Sequence, residues 1–132
     1  MMKRVTLAIA ATIALAAATG AGAHHSFAVF FDPSRTVTIS GVVTDFKFVN
    51  PHGEIGLNVK NSAGVIEQWR VETNAPVILR RRGWTGSSLK PGDKASIEGW
   101  PSREGKHYIR LLKASRGDGS VIGIPFEQSG QQ

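Results

Sequence analysis

The hydrophobic period of this chain changes twice after residue 36, and that change constrains the fold more than any other feature. "TVTISGVVTDFKFV" (36–49), "EIGLNVK" (54–60) and "VIEQWRVET" (65–73) alternate apolar and polar residues in steps of two, as half-buried strands do. In the first, Val37 and Ile39 do not share a phase with Phe46 and Phe48. Gly41 sits where the phase breaks, which predicts a bulge or sharp bend there. In the second, Ile55, Leu57 and Val59 face inward; in the third, Trp69 and Val71 do. "NPHG" (50–53) reads as a turn in which Gly53 allows positive φ, and "NSAG" (61–64) as a hairpin turn. Then the period lengthens. "NAPVILRRRG" (74–83) carries Asn74 as N-cap, Pro76 in the first turn, Arg80, Arg81 and Arg82 in the last, and Gly83 just past the end. Those are the start and stop signals of a short helix, and the cations suit its C-terminal dipole. Alternation returns in "KASIEGW" (94–100) and "HYIRLLKAS" (107–115), with a last short strand predicted at "SVIGI" (120–124).

Three strands, one helix and two further strands (β-β-β-α-β-β) are the order of the OB-fold, a small Greek-key barrel whose helix lies between strands three and four. A lipocalin-like barrel needs more strands, and a sandwich does not need the helix. The reading assigns the all-β barrel to residues 36–125. It leaves 24–35 as an N-terminal segment docked on the barrel by Phe27, Phe30 and Phe31, and 126–132 as a polar tail.

Residues 1–23 read as a signal peptide. Lys3 and Arg4 precede an alanine-rich apolar run too short to span a membrane comfortably, and Ala21-Gly22-Ala23 supplies the small residues of a cleavage site. Cleavage after Ala23 predicts a periplasmic or secreted protein of 109 residues, one domain in size, with no membrane span remaining. It removes two of sixteen basic residues and leaves fourteen against ten acidic ones. Export and this modest charge argue against nucleic acid as partner. With no cysteine in the chain there is no disulfide, no thiolate metal site and no cysteine nucleophile.

The same cleavage makes His24 the first residue, followed by His25. A terminal histidine offers its α-amine and imidazole to one metal ion, with His25 or His52 as a third nitrogen. Alternatively, the His25 imidazole binds together with the terminal amine and the intervening amide. Cleavage one residue earlier makes His25 the third residue, which suits a square-planar copper or nickel site. Nitrogen-rich sites of all these kinds prefer copper. The competing interpretation is structural: His24 or His25 is a clasp hydrogen-bonded to the turn that holds His52.

Other groupings carry less. "RRRGW" (80–84) offers Arg80, Arg81 and Arg82 with the Trp84 indole for an anionic ligand, which would make the protein a non-catalytic OB-type module for a peptide, glycan or periplasmic protein partner; the competing interpretation is a solvated helix end with Trp84 buried as a staple. His107, at the start of a strand, reads as an ordinary surface histidine. There is no G-x-S-x-G, phosphate loop or H-E-x-x-H motif, so the sequence gives no support for classical catalysis.

"AHHSFAVFFD", "GVVTDFKFVNPH" and the later W…VET…P…RRGW…LKPGD pattern together resemble a family of small secreted bacterial proteins of unknown function. The usual form has tryptophan where Phe48 stands here. The resemblance brings no activity with it. It implies that the HHSF start and the NPH turn belong together, through either shared metal ligation or a clasp.

Overall fold

The computed structural model describes residues 26–127. The signal-peptide assignment, His24, His25 and residues 128–132 lie outside them. The elements run α1 (Ser26–Phe30), β1 (Val37–Lys47), β2 (Glu54–Lys60), β3 (Ile66–Glu72), α2 (Pro76–Arg81), β4 (Lys94–Pro101) and β5 (Tyr108–Arg116). The strands close in the order β1-β2-β3-β5-β4. All pairs are antiparallel except β3 with β5. This is the small OB-like barrel that the periodicity predicts, and Ile55, Val71, Ile97 and Ile109, none of them exposed, lie in its core.

The long first strand closes the barrel because it serves two partners. Val37–Val42 pairs with β4, and Val42–Lys47 pairs with β2. Gly41 lies at the hand-over, but the bulge predicted there falls between Val43 and Asp45. Gly41 is required for a different reason: a Cβ on it would sit 2.2 Å from the Asn58 carbonyl oxygen. Gly53 also departs from expectation. It is absent from the glycines with positive φ, and a Cβ there would meet Thr73 Oγ1 at 2.5 Å and the Lys47 carbonyl at 2.8 Å. Both glycines allow close packing rather than unusual dihedrals.

Helix α2 is capped by backbone geometry, not by Asn74. Ala75 is the N-cap residue, in an extended conformation (φ −57°, ψ 150°) with no side-chain cap, as a residue before proline prefers. Asn74 is buried and its carbonyl accepts from Gly53 N–H and Thr73 Oγ1, which ties the helix entry to the NPHG turn. The chain leaves α2 through Arg82 and Gly83, the latter at φ 87°.

The predicted final strand is reduced to a single bridge, Ser115 with Val121. Backbone bonds from Ile122 to Ala114 and from Phe126 to Leu112 then lay the segment across β5. Phe126, assigned to the polar tail by its neighbours, is buried with the Arg82 guanidinium 4.3 Å from its ring centre.

Candidate functional site

The site grows from the ends of three strands. Glu72 ends β3, and register places it opposite Arg110 on β5 and Glu54 on β2. Arg110 in turn faces Trp100 on β4. A charged row on the outer face of a sheet is ordinarily solvated; here the N-terminal segment covers it. Phe31 inserts into the core and rests on the Tyr108 ring at 5.2 Å. Backbone bonds link Asp32 to Pro101 and Arg103 to Phe30, and Arg103 Nε donates to the Ala28 carbonyl. One turn earlier Phe27 lies over the Arg110 guanidinium, 3.9 Å from its ring centre. Phe30, predicted to dock, points outward and is 60% exposed. Phe31 lies just past the end of α1, where its bridge to Ser102 turns its ring inward, while Phe30 closes the helix facing solvent.

Beneath this cover Arg110 is 1% exposed. Its Nη1 donates to the Thr73 carbonyl at 2.6 Å and to Glu72 Oε1 at 3.3 Å. Burial pulls its pKa down to about 10, against the pull of Glu72 in the other direction. Tyr108 donates its hydroxyl to Glu72 Oε2 at 2.6 Å. Burial first, and this bond second, raise its pKa well above the phenolic range. Glu72 therefore holds a buried cation and a phenol at once.

His52 completes the corner. The turn before it contains a cis Asn50–Pro51 peptide. Its Nδ1 lies 3.5 Å from Glu72 Oε1, and its ring centre 5.6 Å from that of Phe27. Phe27, His52, Ala75, Ile78 and Arg110 line a small cleft of about 180 Å³. The His52 side chain is 44% exposed, so one face meets the docked segment and the other meets solvent. Among the described residues no three metal-ligating side chains cluster. His52 is the one sequence-predicted ligand that the described residues contain, and a metal here needs donors from further up the chain.

The arginine–tryptophan grouping is dismantled by the fold. Trp84 is 2% exposed and packs edge-on against Phe46 at 5.8 Å, so its indole is a core element with no ligand-facing surface. Arg80 lies over Phe48, and Arg82 is bound to the Pro125 carbonyl and Phe126. His107 stacks on Trp69, with ring centres 4.6 Å apart, and its Nε2 is 3.6 Å from Glu67. Sequence reasoning missed Glu72, Arg110 and Tyr108. The available signal was Arg110 in an otherwise apolar inward-and-outward run, "YIRLL", where a buried strand admits no lone cation.

Fold and site together define a small closed OB-like barrel with an N-terminal strap seated on a histidine–carboxylate–arginine corner. The chain belongs to the family of unknown function DUF6152, whose model matches residues 11–109. No curated protein matches it. Among solved structures, it is similar to the ZRD-deleted mutant of TiaS in complex with agmatine, at 16% identity and a TM-score of 0.50. There the match covers 74% of this chain and 28% of that one. It is also similar to TiaS in a complex with transfer RNA and ATP, at 16% identity and a TM-score of 0.45, over 70% of this chain and 19% of that one. The chain thus spans less than a third of the length of either structure, and the likeness concerns the fold alone.

Proposed function

We propose that this is an exported, periplasmic metal-binding protein, with copper preferred, whose ligands are His24, His25 and His52. The observation that carries the reading is the seat of Phe27. Its ring is fixed between His52 and the Arg110 guanidinium, and His25 precedes it by two residues. Two residues of chain reach no further than about 7 Å, and this short tether between His25 and Phe27 supports the reading that the histidine pair and His52 share one ion. Glu72 beside His52 Nδ1 favours the proton on that nitrogen, leaving Nε2 as the donor, as carboxylate partners do for metal-bound histidines. The ion would be held without catalytic turnover.

Cu(II) titration calorimetry on the processed protein tests this. One-to-one binding is expected. An alanine added before His24 should weaken it, because the α-amine no longer belongs to the histidine, and equal affinity would remove the amine from the ligand set. Affinity should weaken as the pH is lowered, because a protonated amine or imidazole cannot ligate the metal.

The alternative reading, an OB-type module for a peptide, glycan or protein partner, retains Arg80 and Arg81 but loses Trp84 to the core. A partner captured only while Arg80 and Arg81 are intact, and indifferent to His24, would favour it.

A further inference from the structure

On the opposite flank of the barrel, β1, β4 and β5 place three serines in one row. Ser40 pairs with Ser96, and Ser96 with Ser115. Neighbouring strands are about 5 Å apart, so three hydroxyls follow one another across the sheet. Ser40 Oγ donates to Ser96 Oγ at 3.0 Å. The row is the floor of an open groove of about 610 Å³. Its size is that of a small-molecule site. Nothing in the fold calls for serine here: the outer face of a central sheet is better served by β-branched or long side chains that pack across strands. The adjoining row, Thr38–Glu98–Lys113, has that ordinary composition.

The groove is also charged on one side. Lys94 and Arg116 line it together with Gly117, and no carboxylate does. Among the described residues neither cation forms an ion pair within 4 Å. The acids on the adjoining turns are engaged locally, Asp93 by the Lys90 N–H and Asp118 by the Ser120 N–H. Asp118 lies near enough to feel the Arg116 charge, but neither cation has a carboxylate in direct contact, and a neutral hydroxyl ladder ending in two such cations matches a ligand with hydroxyls along its length and a negative group at one end.

We infer that the β1–β4–β5 groove binds an anionic polyol, a hydroxyl-bearing chain or ring that carries a phosphate or carboxylate. The serines take its hydroxyls, and Lys94 and Arg116 take its charge. The inference is independent of the metal site, which lies at the other end of the strands it shares.

Amide chemical-shift titration of the purified protein tests it, with glycerol 3-phosphate, glucuronate and neutral glycerol as soluble probes. Vesicles of phosphatidylglycerol or phosphatidylcholine, followed by co-sedimentation, form the second arm. Saturable binding of either soluble anion is expected, with shifts centred on Gly41, Ser96, Ser115 and Gly117. The K94A/R116A double variant should bind about tenfold more weakly, as the loss of charged hydrogen bonds implies. Ser96→Val should bind about threefold more weakly while melting no lower, because valine suits a strand better than serine. Binding to phosphatidylglycerol vesicles alone, and not to phosphatidylcholine, would assign the same chemistry to a lipid headgroup. Glycerol bound as well as its phosphate, anion binding indifferent to K94A/R116A, or no saturable binding by any probe would each overturn the inference.

Discussion

The barrel carries two histidine–carboxylate pairs that look alike in isolation. His52 and Glu72 stand 3.5 Å apart, His107 and Glu67 3.6 Å, and the two histidine side chains are 44% and 46% exposed. Their surroundings differ. Glu67 is held by Asn61 and Trp69 from the side, and His107 lies on the Trp69 face. Glu72 is backed by a buried arginine and a phenol and roofed by Phe27. Distance alone does not distinguish a surface ion pair from a built corner. What distinguishes them is how many groups lose their fixed position when one member is removed.

Arg110 should show this most strongly. Arg110→Met leaves the Thr73 carbonyl and one Glu72 oxygen without their donor and takes the platform from under Phe27. A loss of about 3–5 kcal/mol is expected, as for breaking a buried pair, measured by urea unfolding. Adding Glu72→Gln to that variant should recover part of the loss, since the two are coupled. Full additivity would show that the pair is not a unit.

Phe27→Ala should rank next. It removes a cation–π contact and part of an apolar seat, together about 1–3 kcal/mol. Its second effect is the sharper one: copper affinity should fall although phenylalanine ligates nothing. His107→Ala at the other pair should cost no more than about 1 kcal/mol and leave copper affinity unchanged. A similar loss of affinity in both variants would erase the distinction between the two pairs.

The smallest effect is electrostatic. Hydrogen bonds from Asn61 and Trp69 hold the Glu67 carboxyl below its ordinary value of 4.5. A carboxyl that titrates lower in the folded chain favours folding above that value, and the benefit is lost as pH falls through the folded pKa. Unfolding curves between about pH 3 and 6 should therefore be flatter for Glu67→Gln than for the unaltered protein. An unchanged slope would assign the acid sensitivity to other groups.

How much of this was legible beforehand follows from the physics of each part. The barrel order was readable because alternation and helix punctuation are local, and each survives in the elements from Val37 to Arg116. The last predicted strand failed because Val121 finds one bridge and then an apolar path across β5, where Ile122 and Phe126 bury instead of alternating. Asn74 failed as a cap because tertiary contacts to Gly53 took its carbonyl. At the site, His52 was visible as a residue type in a turn. Its partners were not, because Glu72 and Arg110 meet only through the parallel β3–β5 pairing, 38 residues apart in sequence. Trp84 was open to two readings, a binding platform beside three arginines or a buried staple at the helix end, and its burial against Phe46 decides for the second.

The central claim is that the docked strap brings a terminal histidine pair to His52 and that the three share one metal ion. Electron paramagnetic resonance of the processed protein loaded with one equivalent of Cu(II), compared with His52→Ala, tests it most directly. The account predicts that the variant loses one nitrogen from the bound set and binds copper about tenfold more weakly or worse. Identical spectra and identical affinity in the two proteins would contradict it.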